Sequence, residues 1–445
     1  MRLNLGILFL LVSLFTSTQA ATHPKLSPRS SYNTTYQIDT HLRPLLSAHA
    51  SVVHNLSIAP RWSNFDAPSP GTIVNVATEH DVLVTVQYCN AHGIPFFAQA
   101  GGNGWGDTFH LGQNGLTINL RGLNDIKFKS DLSEITFQGG AIIQEVVDAA
   151  YAAGVRVPTG NCNCVGTLGA VLGGGVGRLM GLYGLGVDNL LSVNLVTAQG
   201  AAIKVDSRSN PDLWWALRGA GANFGIVTSA TMKAYPVPKA QNGAWTGVLI
   251  YSETQIEQIV SAINNLKLQP KMAVFLYYGT SGAPDYTPTV LVSPYYIGTT
   301  DEGKAAFSVL YDIGPLADTT VWTPYNETNA GSDTFCIKGG RKPTYGAGLA
   351  KMDPSTWRSI WNEYVSFVKN PGTGNSIILL EAYSMQKARS LASSSSAYPF
   401  RDTVNFQAAA LPWYDDPALD AEATSFASKV RDLWRGTDGL AKNST

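Results

Sequence analysis

The sequence has few charged residues and no basic cluster. Asp, Glu, Lys and Arg make up 14% of its 445 residues, and the formal net charge is −1. So neutral a composition excludes the electrostatic footprint by which proteins bind nucleic acid or an anionic membrane. A chain of this length is expected to form two domains, because single cores rarely grow beyond ~250–300 residues. We expect a monomer whose partner is a small molecule.

Long apolar runs are also scarce. The longest, residues 3–15, is shorter than the ~20 residues that span a bilayer. It follows Arg2 and precedes the small-residue site Thr18-Gln19-Ala20, so it predicts a cleaved signal peptide over residues 1–20 rather than an uncleaved anchor. A secreted glycoprotein is consistent with four N-x-[ST] sequons, at Asn33, Asn55, Asn326 and Asn443.

Cysteine is rare, with four residues at 89, 162, 164 and 336. This is too few for a disulfide scaffold, although the oxidising secretory pathway permits a bridge whose pairing the sequence does not reveal. The Cys-x-Cys at 162–164 has no second cysteine or histidine pair beside it, so we expect no metal site.

Glycine, in contrast, is concentrated in two places. Residues 160–177 contain seven glycines, and residues 101–106 form a second cluster after a strand-like run at 94–98. The dinucleotide pattern G-x-G-x-x-G fails at Asp107 in one cluster and at Arg178 in the other, and no G-x-x-x-x-G-K-[ST] occurs. Two such bends favour a long ligand whose phosphates are held by main-chain N–H groups. Tight turns in a β-rich domain are the alternative.

Four ordered patterns occur between residues 99 and 228. They are QAGGN at 99–103, a Gly-x-Cys-x-x-Val-Gly pattern starting at Gly160, DNLL…LVTAQG at 188–200, and DLWWALRGAGANFGIVT at 212–228. Together they resemble the signatures of the berberine-bridge-enzyme-like flavoproteins, FAD-linked oxidases of the vanillyl-alcohol-oxidase fold group, and most closely their fungal branch. The resemblance implies FAD as the cofactor.

The resemblance also implies which residues contact FAD. They belong to the two bends, to the Asp-Asn pattern and to the strand expected beside the adenine: Gln99, Ala100, Gly101, Gly102, Asn103, Gly104, Gly160, Cys162, Val165, Gly166, Gly169, Gly173, Gly174, Asp188, Gly225, Ile226 and Val227. For the last three residues the alternative is a plain edge strand. For Cys162 it is an inert buried thiol.

One cofactor residue departs from the family pattern. The family's histidine, which commonly bonds to the flavin 8α-methyl carbon, is replaced by Asn103, whose amide nitrogen is not nucleophilic. The family's second link, from a cysteine to flavin C6, remains available through Cys162. The resemblance therefore implies either one thioether tether or non-covalent FAD. Cys164 would then be a core residue or a partner of Cys89.

The expected fold is α+β. After an N-terminal arm at 21–64, the resemblance implies a two-part FAD-binding domain of the PCMH type at 65–237. An α/β substrate domain with an antiparallel sheet follows at 238–445, without the Tyr-x-Asn-Tyr strand by which relatives return to the FAD domain. Periodicity predicts helices at 79–92, 142–153, 255–266, 302–315 and 354–369, and strands at 72–77, 95–100, 116–120, 134–138, 245–251, 271–278, 289–294, 376–383 and 404–411.

The resemblance implies that a substrate C–H gives hydride to flavin N5, that a base removes a proton, and that O₂ reoxidises the flavin to give hydrogen peroxide. Candidate bases are Glu381 and Tyr383, with Tyr277 and Tyr278 behind them, and a structural role is the alternative for each. The expected substrate is an alcohol, a sugar or a fungal secondary-metabolite intermediate. A catalytically impaired FAD-binding homologue and a carbohydrate-binding glycoprotein without cofactor are the other hypotheses.

Overall fold

The computed structural model describes residues 37–104 and 110–440. The predicted signal peptide, sequons Asn33 and Asn443, and part of the first glycine cluster (Trp105 and Gly106) therefore lie outside the described residues. Within the described ranges, every helix is too short or too polar to cross a lipid bilayer.

The first sheet leads into the first glycine cluster. Its strands are β1 (Ser51–Val53), β2 (Thr72–Asn75), β3 (Phe96–Gln99) and β4 (Leu116–Asn119), in the order β1-β2-β4-β3. Strands β2, β4 and β3 are parallel. Helix α1 (Glu79–His92), which the sequence predicts over the same residues, starts where the Thr78 side chain accepts a hydrogen bond from the Asp81 N–H and stops at the left-handed Gly93.

The second sheet is antiparallel, and the long second glycine cluster lies between its strands in sequence. The elements of this region are β5 (Ile126–Phe128), β6 (Glu134–Gln138), α2 (Ile143–Ala152), β7 (Val155–Arg156), α3 (Thr167–Val171), α4 (Met180–Tyr183), β8 (Leu190–Val196), β9 (Ala202–Asp206), α5 (Pro211–Ala220), β10 (Ile226–Lys233) and β11 (Tyr235–Pro236). The order is β5-β6-β10-β8-β9, while β7 pairs with β11. Because β10 is central, the edge-strand interpretation of residues 225–227 is wrong.

The third sheet has nine antiparallel strands. They are β12 (Gly243–Thr246), β13 (Leu249–Tyr251), β14 (Met272–Thr280), β15 (Pro288–Tyr296), β16 (Ala317–Asp318), β17 (Val321–Pro324), β18 (Tyr345–Leu349), β19 (Ile377–Tyr383) and β20 (Phe406–Leu411). The main path is β16-β13-β15-β14-β19-β20-β18, and β12 pairs with β15 and β17. The region's helices are α6 (Ile256–Asn265), α7 (Thr300–Ala306), α8 (Ser308–Asp312), α9 (Pro354–Phe367), α10 (Gln386–Arg389) and α11 (Asp420–Thr437).

The two faces of the third sheet have different roles. Alternate residues such as Val274 and Leu380 pack in one core with helices α6, α9 and α11. Because side chains alternate along a strand, Phe275 and Tyr383 belong to the opposite face, where they join the core of the second sheet. This second face is therefore the one that meets the glycine-rich region.

Two predicted elements are divided in the structure. The strand expected at 245–251 breaks at Gly247, whose φ of 149° is unsuited to a continuous strand. The helix expected at 302–315 divides at Phe307, whose side chain is fully buried. Helix α11 was not predicted from the sequence, although its buried Phe426, Val430 and Trp434 complete the helical layer.

Candidate cofactor and active site

The two glycine bends touch, although about sixty residues separate them in sequence. A Cβ added to Gly101 would lie 2.4 Å from the Cys164 carbonyl oxygen and 2.5 Å from the Gly166 nitrogen. A Cβ on Gly166 would lie 2.9 Å from Ala100 Cβ. Only glycine allows two main chains to approach this closely. The structure thus brings together the two segments that the sequence analysis assigned to one ligand.

The second bend contains glycines in a sharp turn and other glycines with free space around them. Gly174 and Gly175 have φ values of 139° and 71°, which favour glycine. Gly169 and Gly173 have room for a Cβ, with nothing nearer than 3.7 Å. In contrast, Val165 packs against the core, and a Cβ on Gly160 would lie 3.0 Å from Ile143 Cδ1. The bend therefore has both tightly packed and open positions.

Buried polar atoms around the second bend lack partners within the described part of the chain. They are Thr167 Oγ1, Asn163 Oδ1 and Arg178 Nε. A buried polar group without a hydrogen bond costs free energy, so such groups usually meet a ligand or water. Thr167 Oγ1 and Arg178 Nε can donate to a phosphate-bearing cofactor, whereas Asn163 Oδ1 can only accept a hydrogen bond.

The first bend is held by an arginine of the N-terminal arm. Arg61 donates to Gln99 Oε1 at 3.0 Å and to the Gly104 carbonyl, while Gln99 Nε2 donates to the Ala59 carbonyl at 3.0 Å. The side chain of Gln99 is thus occupied by protein contacts. Gly102, with φ of 70°, provides the turn itself.

Asp188 forms a buried ion pair. Its carboxylate accepts two hydrogen bonds from Arg401, at 2.6 and 2.8 Å, and both side chains are buried. It also accepts the Leu185 N–H at 2.9 Å. The Asp188 carboxylate thus joins the glycine-rich region to Arg401, and the expected contact of Asp188 with the cofactor stays a prediction.

Gly225, Ile226 and Val227 lead into central strand β10. A Cβ on Gly225, whose φ is 138°, would lie 2.4 Å from the Val196 carbonyl oxygen. Ile226 and Val227 pair with Val196 and Leu195. The glycine is therefore required for close approach of two backbones at this sheet end.

The cysteine pairing differs from both sequence interpretations. Cys164 forms a disulfide with Cys336, so it is neither an unpaired core thiol nor a partner of Cys89. Cys89 is a buried thiol whose pKa is raised by burial to about 12, which makes it unreactive. Cys162 keeps a partly buried free thiol, with its Sγ 3.7 Å from the sulfur atoms of both Cys164 and Cys336. Burial raises the pKa of the Cys162 thiol.

A segment that sequence reasoning missed lies across both bends. This crossing segment, residues 330–342, is attached to the second bend by the Cys164–Cys336 disulfide and by a hydrogen bond of 2.8 Å from Asn163 Nδ2 to Asp333 Oδ1. Lys338 attaches it to the first bend by donating to the Gly101 carbonyl and to Asn103 Oδ1. The sequence shows Cys336, but it does not indicate that Cys336 pairs with Cys164.

Glu381 and Tyr383 face the second bend from β19. Tyr383 Oη donates to Glu381 Oε2 at 2.6 Å, and Asn161 Nδ2 donates to Tyr383 Oη at 2.5 Å. Burial raises the pKa of the Glu381 carboxyl above its ordinary value of 4.5. Burial, and then the neighbouring Glu381, raise the pKa of Tyr383 well above its ordinary value. Asn161 precedes Cys162 in the chain, so it links this pair directly to the bend.

The two tyrosines of β14 lie on opposite faces. Tyr277 is on the face of Glu381, and burial raises the pKa of Tyr277. Tyr278 instead donates to the Trp357 carbonyl at 3.1 Å within the helical core, so its assignment near the base is wrong. Arg178 completes the inner face: its guanidinium lies 4.8 Å from the centre of the Phe275 ring and donates to Asn329 Oδ1 at 2.6 Å.

A cavity of about 520 Å³ opens at this inner face, lined by Arg178 and Tyr277 but not by Glu381 or Tyr383. Arg178 and Tyr277 line it together with β15, β17 and the crossing segment. Hydroxyl and apolar side chains predominate, and Arg178 and Glu327 are its only charged lining residues in the described part of the chain. The cavity therefore suits an uncharged molecule with hydroxyl groups.

Comparison with known proteins shows which sequences this chain resembles. Residues 70–206 match the model of the FAD binding domain family. An FAD-linked oxidoreductase of Pyricularia oryzae is 34% identical over 395 residues, which cover 86% of this chain and 76% of that protein.

Solved structures show the same fold. A berberine-bridge-enzyme-like protein of Physcomitrella patens has a TM-score of 0.77 at 17% identity, over 90% of this chain and 89% of that chain. Glucooligosaccharide oxidase of Acremonium strictum, which has a 6-S-cysteinyl, 8α-N1-histidyl FAD, has a TM-score of 0.75 at 17% identity, over 89% and 87%. The predicted α+β fold with a PCMH-type FAD-binding domain is confirmed.

Proposed function

The chain belongs to the fungal FAD-linked oxidoreductases, and on this basis we propose that it is an oxidase of an uncharged, hydroxyl-bearing small molecule. The substrate classes that we propose are an alcohol, a sugar and a secondary-metabolite intermediate. Molecular oxygen is the proposed electron acceptor, with hydrogen peroxide as its product.

The observation that carries the proposal is the chain of contacts Asn161–Tyr383–Glu381. A general base must lie within hydrogen-bond reach of the proton that it removes, and its pKa should be close to the working pH. The carboxyl of Glu381 has a raised pKa, and Tyr383 lies 2.6 Å from it. Asn161 places this pair against the bend that contains Cys162.

The cofactor and three side chains would have separate roles in the reaction. When bound, FAD supplies the two-electron oxidation by accepting hydride from a substrate C–H. Tyr383 Oη takes the proton of the substrate hydroxyl while it passes its own proton to Glu381 Oε2. Asn161 Nδ2 donates to the same phenolic oxygen and stabilises negative charge that develops there. Tyr383 is buried, which limits access of water to its hydroxyl.

We propose that the flavin is held by one covalent bond, from Cys162 Sγ to ring carbon C6. Cys162 is a free thiol in the second bend, whereas Cys164 and Cys336 are joined to each other. Cys162 would thus be the residue of this bend that holds the flavin covalently. Asn103 offers no nucleophile for a second bond.

The cavity supports the proposed substrate class. Its hydroxyl-bearing lining is suited to hydrogen bonds with a polyol or phenol, and its apolar lining to a ring: Thr246, Thr280, Ser293, Thr323, Thr328, Ser332 and Thr334, with Leu291, Phe335, Ile337 and Trp413. A charged substrate would have to be desolvated against this largely neutral wall.

We further propose that the protein is a secreted, monomeric glycoprotein. The predicted signal peptide and the sequons support this proposal. Asn55 lies at an exposed position. Asn326 is partly buried, and its Oδ1 is enclosed without a partner among the residues that the structure describes. We therefore expect a glycan at Asn55 and little or none at Asn326.

The test combines cofactor and turnover measurements on the secreted protein. Acid precipitation should leave yellow colour in the pellet, and addition of alcohols, sugars and phenols should release peroxide with at least one of them. Glu381→Gln should abolish peroxide release while the flavin stays bound. Glu363→Gln, on helix α9, is the matched control and should retain activity. A yellow protein without peroxide release on the whole panel contradicts the oxidase proposal.

A further inference from the structure

Lys338 lies at the first glycine bend although it comes from the third-sheet region. Its ammonium donates to the Gly101 carbonyl and, at 3.0 Å, to Asn103 Oδ1. An ammonium has three N–H donors, so among the described residues one remains after these two bonds. The third donor is available beside the backbone that the sequence analysis assigned to the cofactor phosphates.

No counter-ion accompanies this lysine in the described part of the chain. No carboxylate there lies within ion-pair distance of Lys338. The cations Arg61 and Arg121 and the thiol of Cys162 act on it. Desolvation, and then Lys338 in turn, lower the pKa of the neighbouring Lys342. Desolvation, and then Arg61, lower the pKa of Lys338 to about 8. A half-buried cation among other cations costs free energy, and a bound anion offsets that cost through a charge-assisted hydrogen bond.

The surrounding chain holds Lys338 in place on both sides. Two residues before it, Cys336 is joined to the second bend. Four residues after it, the fully buried Lys342 lies over the rings of Trp62 and Trp413 and donates to the Trp62 and Ile337 carbonyls at 2.8 and 2.7 Å. A fixed cation loses little conformational entropy when it binds a ligand.

We infer that Lys338 binds the diphosphate of FAD at the first glycine bend. This ion pair compensates for the covalent bond that a histidine at position 103 would form with the flavin. The inference rests on FAD occupying the two bends, as in the proposed function. It gives the crossing segment a role in cofactor binding in addition to lining the cavity.

The experiment measures FAD affinity in a Cys162→Ala background, where the flavin is free to dissociate. Flavin fluorescence gives the Kd for Cys162→Ala and for Cys162→Ala/Lys338→Met at low and high NaCl. We expect the second variant to raise the Kd about tenfold or more and to weaken its salt dependence, because one ion pair is lost. Lys338→Arg should retain most of the affinity.

Lys127→Met in the same background is the control, since Lys127 is exposed on β5, and its Kd should not change. A Kd for the Lys338→Met protein within twofold of the Cys162→Ala value overturns the inference. Should Lys338→Met fail to fold, Lys338→Gln takes its place with the same expected rise in Kd, and a value within twofold of the Cys162→Ala protein overturns the inference. Lysine-dependent FAD binding without peroxide release would contradict only the oxidase proposal.

Discussion

Asn161 Nδ2 lies 2.5 Å from Tyr383 Oη, which joins the second glycine bend to the strand that carries Glu381. The contact spans two regions of the chain that no local sequence signal connects. It places the proposed base beside the residue next to Cys162, so the cofactor site and the proton acceptor form one unit.

Replacing Asn161 should impair the proton step more than substrate binding. Asn161→Ala removes the donor to Tyr383 Oη, and we expect kcat to fall about tenfold or more while KM changes little, as for other groups that assist proton transfer. Steady-state peroxide assays measure both constants. The pH profile of kcat should also shift, which a purely structural role would not cause. Equal changes in kcat and KM with an unshifted profile would contradict this role.

The pH dependence of activity should follow Glu381. Its carboxyl accepts the proton only when ionised, and burial raises its pKa above 4.5. Activity should therefore increase with pH through a value higher than that of an ordinary glutamate. The measurement is kcat against pH. An activity that is already maximal at pH 4.5 would exclude Glu381 as the base.

The Glu381 carboxyl should lower the free energy of unfolding as the pH rises. Because the folded state binds the Glu381 proton more tightly than the unfolded chain does, the free energy of unfolding decreases from about pH 4.5 upward, through the raised pKa. Glu381→Gln removes this loss, so at neutral pH its Tm should be higher than that of the wild type, although it is inactive. Thermal unfolding at pH 4 and pH 8 checks this. An unchanged difference between the two pH values would contradict the assigned burial effect.

The covalent flavin linkage should depend on Cys162, and a histidine at position 103 should be able to form such a link as well. Cys162→Ala should move the yellow colour from the acid pellet to the supernatant. Asn103→His in that background introduces the nucleophile that the natural sequence lacks, and pellet colour should return. Absorbance of the two fractions measures the distribution. Pellet colour that persists in Cys162→Ala alone would show that another residue forms the link.

The Cys164–Cys336 disulfide should stabilise the whole protein. It closes a loop with a sequence separation of 172 residues, and removing such a bridge costs about 2–4 kcal/mol. The variant is Cys164→Ala/Cys336→Ala, studied by urea unfolding. A reductant should lower the stability of the wild type but not that of this variant. The same reductant effect in both proteins would contradict the pairing.

Several local features were predictable from the sequence. Helix α1 matches the prediction over residues 79–92, because the Thr78 cap and Gly93 mark its two ends. The glycines of both bends were found because their concentration in two short segments is itself the signal. The strand predicted at 376–383 appears as Ile377–Tyr383, and it places Glu381 and Tyr383 on one face by simple alternation.

Other features depended on contacts between distant segments. The sequence did not indicate which cysteine would pair with Cys164, that Lys338 would reach Gly101, or that Asp188 would meet Arg401. Each of these pairs is separated by more than 170 residues, so no periodicity or cap can encode it locally. Tyr278 was misplaced for a related reason: the face that it occupies depends on which side of β14 the helices cover.

The amino-acid sequence alone determined the family, the cofactor and the two bends, because short glycine-rich patterns mark where a phosphate-binding turn needs backbone conformations that other residues rarely adopt. The tertiary structure alone decided that a segment from the third-sheet region crosses those bends and brings a disulfide and a lysine to them. It also decided that Asn161 supports Tyr383. Side chains from separate regions of the chain meet only after the sheets pack, and their burial then sets the charges and pKa values on which the chemistry depends.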